Sequence, residues 1–211
     1  MYNNLKIIVT GSTGFKGSWL CFWLKKKGAK VIGIGLKPEK GSVIFKSLNL
    51  NKLIKQYYFD ICDFKKLNDV ILREKPDMVF HLAAQSVVSL SYSQPLLTLR
   101  TNILGSMNIL EVCRLNKIKN LIYITSDKCY HNRETTAGYK ETDILGGKDN
   151  YSSSKASAEL IFKSYYESFF KNNSFITTVS ARAGNVIGGG DFKKDRIVPD
   201  AIKSFKNRKN L

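Results

Sequence analysis

Tyr151 and Lys155 stand four residues apart in a stretch that reads as the start of a helix, a spacing that puts phenol and ammonium on one helical face. A phenol beside a cation is suited to take the proton of a substrate hydroxyl while a hydride leaves the same carbon. An opposite charge within ~4–6 Å lowers a pKa by about 1–3. The Lys155 ammonium is therefore expected to bring Tyr151 from ~10 toward the working range of a general base. A Tyr-x-x-x-Lys pair is common in itself. Ser126 gives it weight, because it closes a predicted strand, Asn120 to Thr125, on the same rim.

A second constellation lies near the amino terminus. Gly11, Gly14 and Gly17 in GSTGFKG follow an apolar run, Leu5 to Thr10, and precede a helical pattern, Phe15 to Lys27. Glycines there permit a tight turn and let backbone amides approach a pyrophosphate. The helix start aims the positive end of its dipole at that anion. The strand–turn–helix context makes this a dinucleotide-binding signal rather than a chance trio. An acidic residue ending the second strand usually grips the ribose 2′-hydroxyl; here the chain reads Gly33-Ile34-Gly35-Leu36-Lys37. Lys37 could face a 2′-phosphate or simply be solvated, so the residues alone leave NAD and NADP open. Asp60 could contact the adenine or stabilise its own turn. The small residues in His81-Leu82-Ala83-Ala84-Gln85 would let a dinucleotide lie across the strand ends, and His81 reads as a packing residue.

Strand patterns at Lys30 to Ile34, Gln56 to Phe59, Met78 to Leu82 and Phe175 to Ala181 alternate with helical ones at Phe64 to Arg73, Pro95 to Asn116 and Tyr151 to Phe170. This alternation predicts an α/β fold with a doubly wound parallel sheet. Right-handed crossovers then bring every strand's carboxyl end to one rim. The helix from Pro95 carries an apolar stripe through Leu99, Ile103, Met107, Leu110 and Cys113, whereas Tyr130 to Asn150 lacks periodicity and reads as a functional loop. A hydrophobic content of 43% argues against disorder. No apolar run approaches the ~18 residues of a membrane span, and the start lacks a signal-peptide pattern. Cys21, Cys62, Cys113 and Cys129 are scattered, as in a reducing cytoplasm. The net charge of +17 comes from lysines spread along the chain. It points to a basic surface that helps an anionic substrate approach rather than to a nucleic-acid face. No metal site is expected.

The glycine string, His-Leu-Ala-Ala and the Ser/Tyr/Lys set resemble the extended short-chain dehydrogenases that act on nucleotide sugars. Longer stretches (GFKGSWL, HLAAQ, ITSDKCY, LGGKDNYSSSKASAEL and ARAGNVIGGGDF with DRIVPD) are similar to the CDP-glucose 4,6-dehydratases, and the resemblance runs over essentially all 211 residues. It implies a Rossmann-like domain over 1–185, with 186–211 beginning a substrate-binding region. It also implies NAD as cofactor, CDP-glucose as substrate and a 4-keto-6-deoxy sugar as product. Cofactor contacts would fall on Gly11, Thr13, Gly14, Phe15, Lys16, Gly17, Asp60, Ile61, Leu82, Ala83, Ala84, Asn102, Tyr151 and Lys155. Substrate contacts would fall on Gln85, Ser86, Asn185 and Arg196, with the Arg196 fork as a diphosphate clamp. Tyr151 would take the C4 hydroxyl proton, Ser126 hold the 4-oxygen, and Asp127 protonate the departing C6 oxygen. Lys128 would handle the C5 proton, which requires desolvation or a neighbouring cation such as Lys155.

The resemblance further implies a homodimer through the helices Pro95 to Asn116 and Tyr151 to Phe170, where the small face of Ala156, Ser157 and Ala158 would allow close packing, although such a face also suits burial on the sheet. His131 and Ser89 depart from the subfamily pattern, where an acid and an arginine are usual. Family members continue into a smaller domain that closes over the sugar, so the chain is expected to bind dinucleotide but turn over substrate poorly. A nucleotide-sugar epimerase and a non-catalytic dinucleotide-binding remnant are the competing readings; Asp127-Lys128 argues against the first and intact Ser126, Tyr151 and Lys155 against the second.

Overall fold

The computed structural model describes residues 2–38, 42–173, 176–192 and 195–208. Six strands form one parallel sheet: β1 Lys6–Thr10, β2 Lys30–Gly35, β3 Lys55–Tyr58, β4 Met78–His81, β5 Asn120–Ile124 and β6 Thr177–Ala181. Their order is β3-β2-β1-β4-β5-β6, with Thr10 level with Ile34 on one side and His81 on the other. The expected doubly wound sheet is therefore what forms. The strand order reverses between β1 and β4, and a ligand crevice opens where strands diverge in this way. The start expected for the sixth strand, Phe175, lies outside the described residues.

Side chains alternate across the sheet with period two. Ile7 and Val9 pack with Leu24 of α1 (Phe15–Lys26) on one face. Ile8 packs on the other with Leu67 and Ile71 of α4 (Phe64–Glu74) and Ile109 of α7 (Ser106–Leu115). Helix α4 starts where the Asp63 side chain accepts the Lys66 amide at 3.1 Å. It ends at Lys75, whose left-handed conformation (φ 47°) precedes Pro76. Asp77 then accepts the Lys6 amide at 2.9 Å and fixes the entry of β4 beside β1.

Short helices α2 (Val43–Ser47) and α3 (Leu50–Leu53) bury Ile44, Phe45 and Leu50, and α5 (Val88–Ser93) follows β4. The long helix expected from Pro95 is α6 (Pro95–Leu99), a π-helical stretch Arg100–Gly105, and α7. The wider turn of a π segment shifts the phase of the helix beyond it. Only the second half of the apolar stripe, Leu110 and Cys113, is consequently buried. Upstream the buried face is Thr98, Asn102 and Ser106, and Leu99, Ile103 and Met107 are half-exposed. Helix α8 (Asn150–Tyr165), capped by Asp149, continues into a second π-helical stretch, Tyr166–Phe170. The basic stretch near the end folds as α9 (Ile197–Lys206), which buries no residue. Pro199 sits in its first turn, where a missing N–H costs nothing.

Candidate active site

The glycine turn has a steric reason for its first and last glycines. Gly11 adopts φ +72°, and a Cβ there would lie 2.8 Å from the Ala83 amide nitrogen at the end of β4. A Cβ on Gly17 would lie 2.1 Å from the Gly11 carbonyl oxygen. Only bare backbone lets α1 start this close to the turn. The first turn of α1 holds no acidic residue, so its amides and dipole face the crevice unneutralised, with Lys16 beside them. That is the cradle a pyrophosphate needs.

On the opposite wall, Ser126 follows β5. Its hydroxyl donates to Asp127 Oδ1 at 3.0 Å and accepts the Lys128 amide at 3.3 Å, while the Asp127 amide donates to the Ala183 carbonyl at 3.0 Å. Asp127 to Cys129 form one 3-10 turn. Tyr151, in the first turn of α8, is 8% exposed and lines the same cavity as Ser126. Burial holds its phenol above the ordinary value, the nearby Ser126 hydroxyl and the Arg196 charge pull it back, and Asp127 and Asp149 push it up. This corrects the expectation that Lys155 lowers it, because desolvation outweighs the cations and the cation that acts is Arg196. Lys155 is itself pushed down to about 8, by burial first and then by Lys16, against the opposing pull of Glu159 and Cys129. His81 is buried, with Thr10 Oγ1 2.8 Å from Nδ1 and Ser106 Oγ 3.0 Å from Nε2. Burial and then the Lys155 charge drive it down to about 3. It packs, and it stays neutral.

Between the two walls runs a cavity of about 920 Å³. Its lining brings together the predicted Gly11, Thr13, Gly14, Phe15, Lys16, Gly17, Asp60, Ile61, Leu82, Ala83, Ala84, Ser86, Ser126, Lys128, Tyr151, Asn185 and Arg196. Four predicted residues lie off it. Lys155 is buried beneath the rim. The exposed Asp127 carboxylate turns to the Ser126 hydroxyl. Asn102 is buried and clamps Gln85, accepting its amide at 2.8 Å and donating to its carbonyl at 3.0 Å and to Ser154 Oγ at 2.9 Å. The Gln85 side chain bends back to Val87 and Thr98. Asn102 and Gln85 thus shape the crevice from behind. Asp60 lines the cavity and also accepts the Cys62 amide at 2.9 Å, so it stabilises its own turn. Lys128 is exposed, and the chain's own residues do not desolvate it.

Two features escaped the sequence. The segment after β6 folds over the crevice. Trp19 Nε1 donates to the Gly189 carbonyl at 2.9 Å, Ser89 Oγ to Asp195 Oδ2 at 2.6 Å, and Arg196 Nη2 to Ser86 Oγ at 3.1 Å. Arg196 Nε is buried with no hydrogen-bond partner among the described residues, and Lys16 is lowered by burial and then by the Arg196 charge. The nearest carboxylate oxygen to Arg196 Nε, Asp191 Oδ2, is 3.9 Å away, so two cations that feel each other and a donor without a close acceptor fit an anionic ligand. The second feature is a buried Glu159–Arg182 pair. Its sequence signal was an acid four residues beyond Lys155 on the same helical face.

Residues 8–208 match the family model described as GDP-mannose 4,6 dehydratase. The chain belongs to this family. It is one of the extended short-chain dehydrogenase/reductases, as the motifs implied. It is 46% identical over 211 residues to CDP-glucose 4,6-dehydratase of Salmonella typhimurium, a match that covers 98% of this chain and 59% of that protein. It is 32% identical to dTDP-D-glucose 4,6-dehydratase of Dictyostelium discoideum, over 97% of this chain and 49% of the relative. Among solved structures, UDP-glucose 4-epimerase of Thermotoga maritima shares the fold, with TM-score 0.84 at 23% identity over 98% of this chain and 65% of that one. UDP-glucuronic acid 4-epimerase of Bacillus cereus, in complex with UDP-glucuronic acid and NAD, superposes with TM-score 0.81 at 28% identity, again over 98% and 65%. The chain thus spans between about half and two thirds of the length of these proteins.

Proposed function

We propose that the chain is the NAD-binding part of a CDP-glucose 4,6-dehydratase-like hydro-lyase, which converts a nucleotide-linked glucose to its 4-keto-6-deoxy form. The observation that carries this reading is the meeting of Ser126 and Tyr151 with the glycine turn in one cavity, together with the 46% identity to the Salmonella dehydratase. NAD would lie with its pyrophosphate on the amino end of α1, and when bound it would supply the acceptance and return of a hydride. Tyr151 takes the C4 hydroxyl proton, with Ser126 holding the 4-oxygen. Lys155, buried beneath the rim, would orient the nicotinamide ribose.

Elimination across C5 and C6 falls to Asp127 and Lys128. Asp127 must turn from Ser126 to the C6 oxygen, and Lys128 must be desolvated by the sugar that covers it. Lys16 and Arg196 clamp the diphosphate, beside Ser86 and Asn185. An epimerase would need no acid at C6, and water release against C4 inversion separates the two readings.

The 211-residue chain should bind NAD in calorimetry. Joined to the carboxyl-terminal remainder of the Salmonella relative and given CDP-glucose, it should yield the alkali-induced absorbance of a 4-keto-6-deoxy sugar. Tyr151→Phe should abolish that signal. NAD binding without any signal from the joined protein would leave the remnant reading in its place. We also propose a homodimer through α6–α7 and α8. These helices expose Leu97, Leu104 and Leu160, while Ala156 and Ala158, expected to line the interface, are buried within the chain itself.

A further inference from the structure

The loop 130–149 runs from the Ser126-Asp127-Lys128 turn to Tyr151, so both its ends carry rim residues. Within it, Tyr130 bridges Leu145, the His131 amide donates to the Ile144 carbonyl at 2.9 Å, and the Gly146 amide donates to the Cys129 carbonyl at 2.8 Å. Besides the Gly146 bond to Cys129 and the Ser153 hydroxyl's bond to the Gly147 carbonyl at 2.8 Å, it is attached to the body of the fold through Arg182, the residue after β6. Arg182 Nη1 donates to the Tyr130 hydroxyl and to the Glu141 carbonyl, both at 3.0 Å. The guanidinium also lies 4.9 Å from the centre of the Tyr130 ring, which stacks on Tyr139.

Arg182 is held in turn by Glu159 of α8, with Nε and Nη2 at 3.0 and 2.9 Å from Oε2. Glu159 is 2% exposed. Its other contacts are Thr125 Oγ1, one residue before Ser126, and Ser180 Oγ at 3.2 Å. One buried carboxylate therefore touches the strand end that carries Ser126, the neighbouring strand β6, and the arginine that clasps the loop. It also lies one helical turn beyond Lys155.

We propose that Glu159 and Arg182 are positioning residues: the pair fastens the 130–149 loop to the rim, and Glu159 supplies the counter-charge that keeps Lys155 an ammonium. A buried acid held by three hydrogen bonds and an ion pair is costly to keep for packing alone, since a desolvated ion pair rarely outperforms apolar side chains. What this pair gives instead is geometry for Ser126 and charge for Lys155. The groups that face Lys155 are Lys16 of α1, His81 of β4, Cys129 of the 3-10 turn and Glu159 of its own helix. Of these, Glu159 and Cys129 favour the charged form, and Lys16 and burial oppose it.

The pH arm of the test rests on the NAD-binding reading; the loop arm does not. Trypsin should cut the wild-type loop slowly at Arg133 and Lys140. Glu159→Gln and Arg182→Lys should each speed those cuts about tenfold at temperatures where circular dichroism shows the fold intact. Tyr130→Phe, which deletes one clasp bond and keeps the ring, should speed them less and serves if the other two fail to fold. NAD affinity should fall as pH rises through about 8 in the wild type, and the fall should move to lower pH in Glu159→Gln but not in Glu159→Asp. Unchanged cutting in folded variants overturns the clasp, and an unmoved pH profile overturns the counter-charge. Absence of NAD binding by the wild type at every pH would instead sink the dinucleotide reading, with the cutting rates still deciding the clasp.

Discussion

Gly17 shows how far a single residue constrains the site. A methyl group there meets the Gly11 carbonyl at 2.1 Å, and neither partner is a side chain that can swing away. Gly17→Ala should cost about 1–3 kcal/mol in urea unfolding, as overpacking does, and weaken NAD binding at least tenfold in calorimetry. Lys155 makes the opposite trade. Its pKa is about 8 in the fold against 10.5 for the ordinary side chain. Below pH 8 both folded and unfolded chains carry the proton, and the fold bears the full burial cost. Between 8 and 10.5 the folded chain loses it first, so stability rises with pH. Lys155→Met should therefore stabilise the chain by about 1–3 kcal/mol at pH 7, a gain that fades by pH 10.5, while NAD binding is lost. That Tyr151 and Ser126 meet on one rim was legible because type and spacing reveal it. The Glu159–Arg182 pair was not, because the two lie 23 residues apart and only the closing of β6 beside β5 brings them together.

At the level of elements, apolar runs and glycine punctuation placed all six strands within a residue or two, since buried parallel strands are read as continuous hydrophobic segments. Helices α2, α3, α5 and α9 were not legible. Three are one or two turns long, and α9 has no buried face to leave a trace. The phase of the helix from Pro95 was misread because a π-helical turn is invisible to a 3.6-residue template. The end of β2 carries a consequence for cofactor choice. Gly35, Leu36, Lys37 and Ser42 line the cavity there, and none of these four is a carboxylate that would repel a 2′-phosphate. NADP should accordingly bind within about tenfold of NAD, or ~1.4 kcal/mol, and Lys37→Glu should widen the gap in favour of NAD by about another tenfold. Equilibrium titration of both dinucleotides against both proteins checks this, and a wild-type preference of a hundredfold or more would refute it.

For the molecule as a whole, the charge of +17 and the cavity belong to one argument. Lys16, Lys37, Lys128, Arg196, Lys203 and Lys206 all line the cleft. A low-dielectric cleft edged by cations focuses the field of the wider surface and raises the encounter rate of anions. The reading of the lysines as steering groups rather than a nucleic-acid stripe rests on that convergence. It makes a kinetic prediction distinct from affinity at the rim. Ions shorten the reach of the field to ~10 Å at 0.1 M, so the association rate of ADP, an anionic fragment of the dinucleotide, should fall about three- to tenfold between ~20 and ~300 mM salt. Adenosine, which is neutral, should show no such dependence. Because Lys203 and Lys206 stand on α9, away from Ser126 and Tyr151, the double substitution Lys203→Glu and Lys206→Glu should flatten the salt slope for ADP and leave its dissociation rate nearly unchanged. Stopped-flow fluorescence from Trp19, bonded to the Gly189 loop that lines the cleft, offers the readout. A dissociation rate that rose while the salt slope stayed steep would assign these lysines to the bound state instead of the approach.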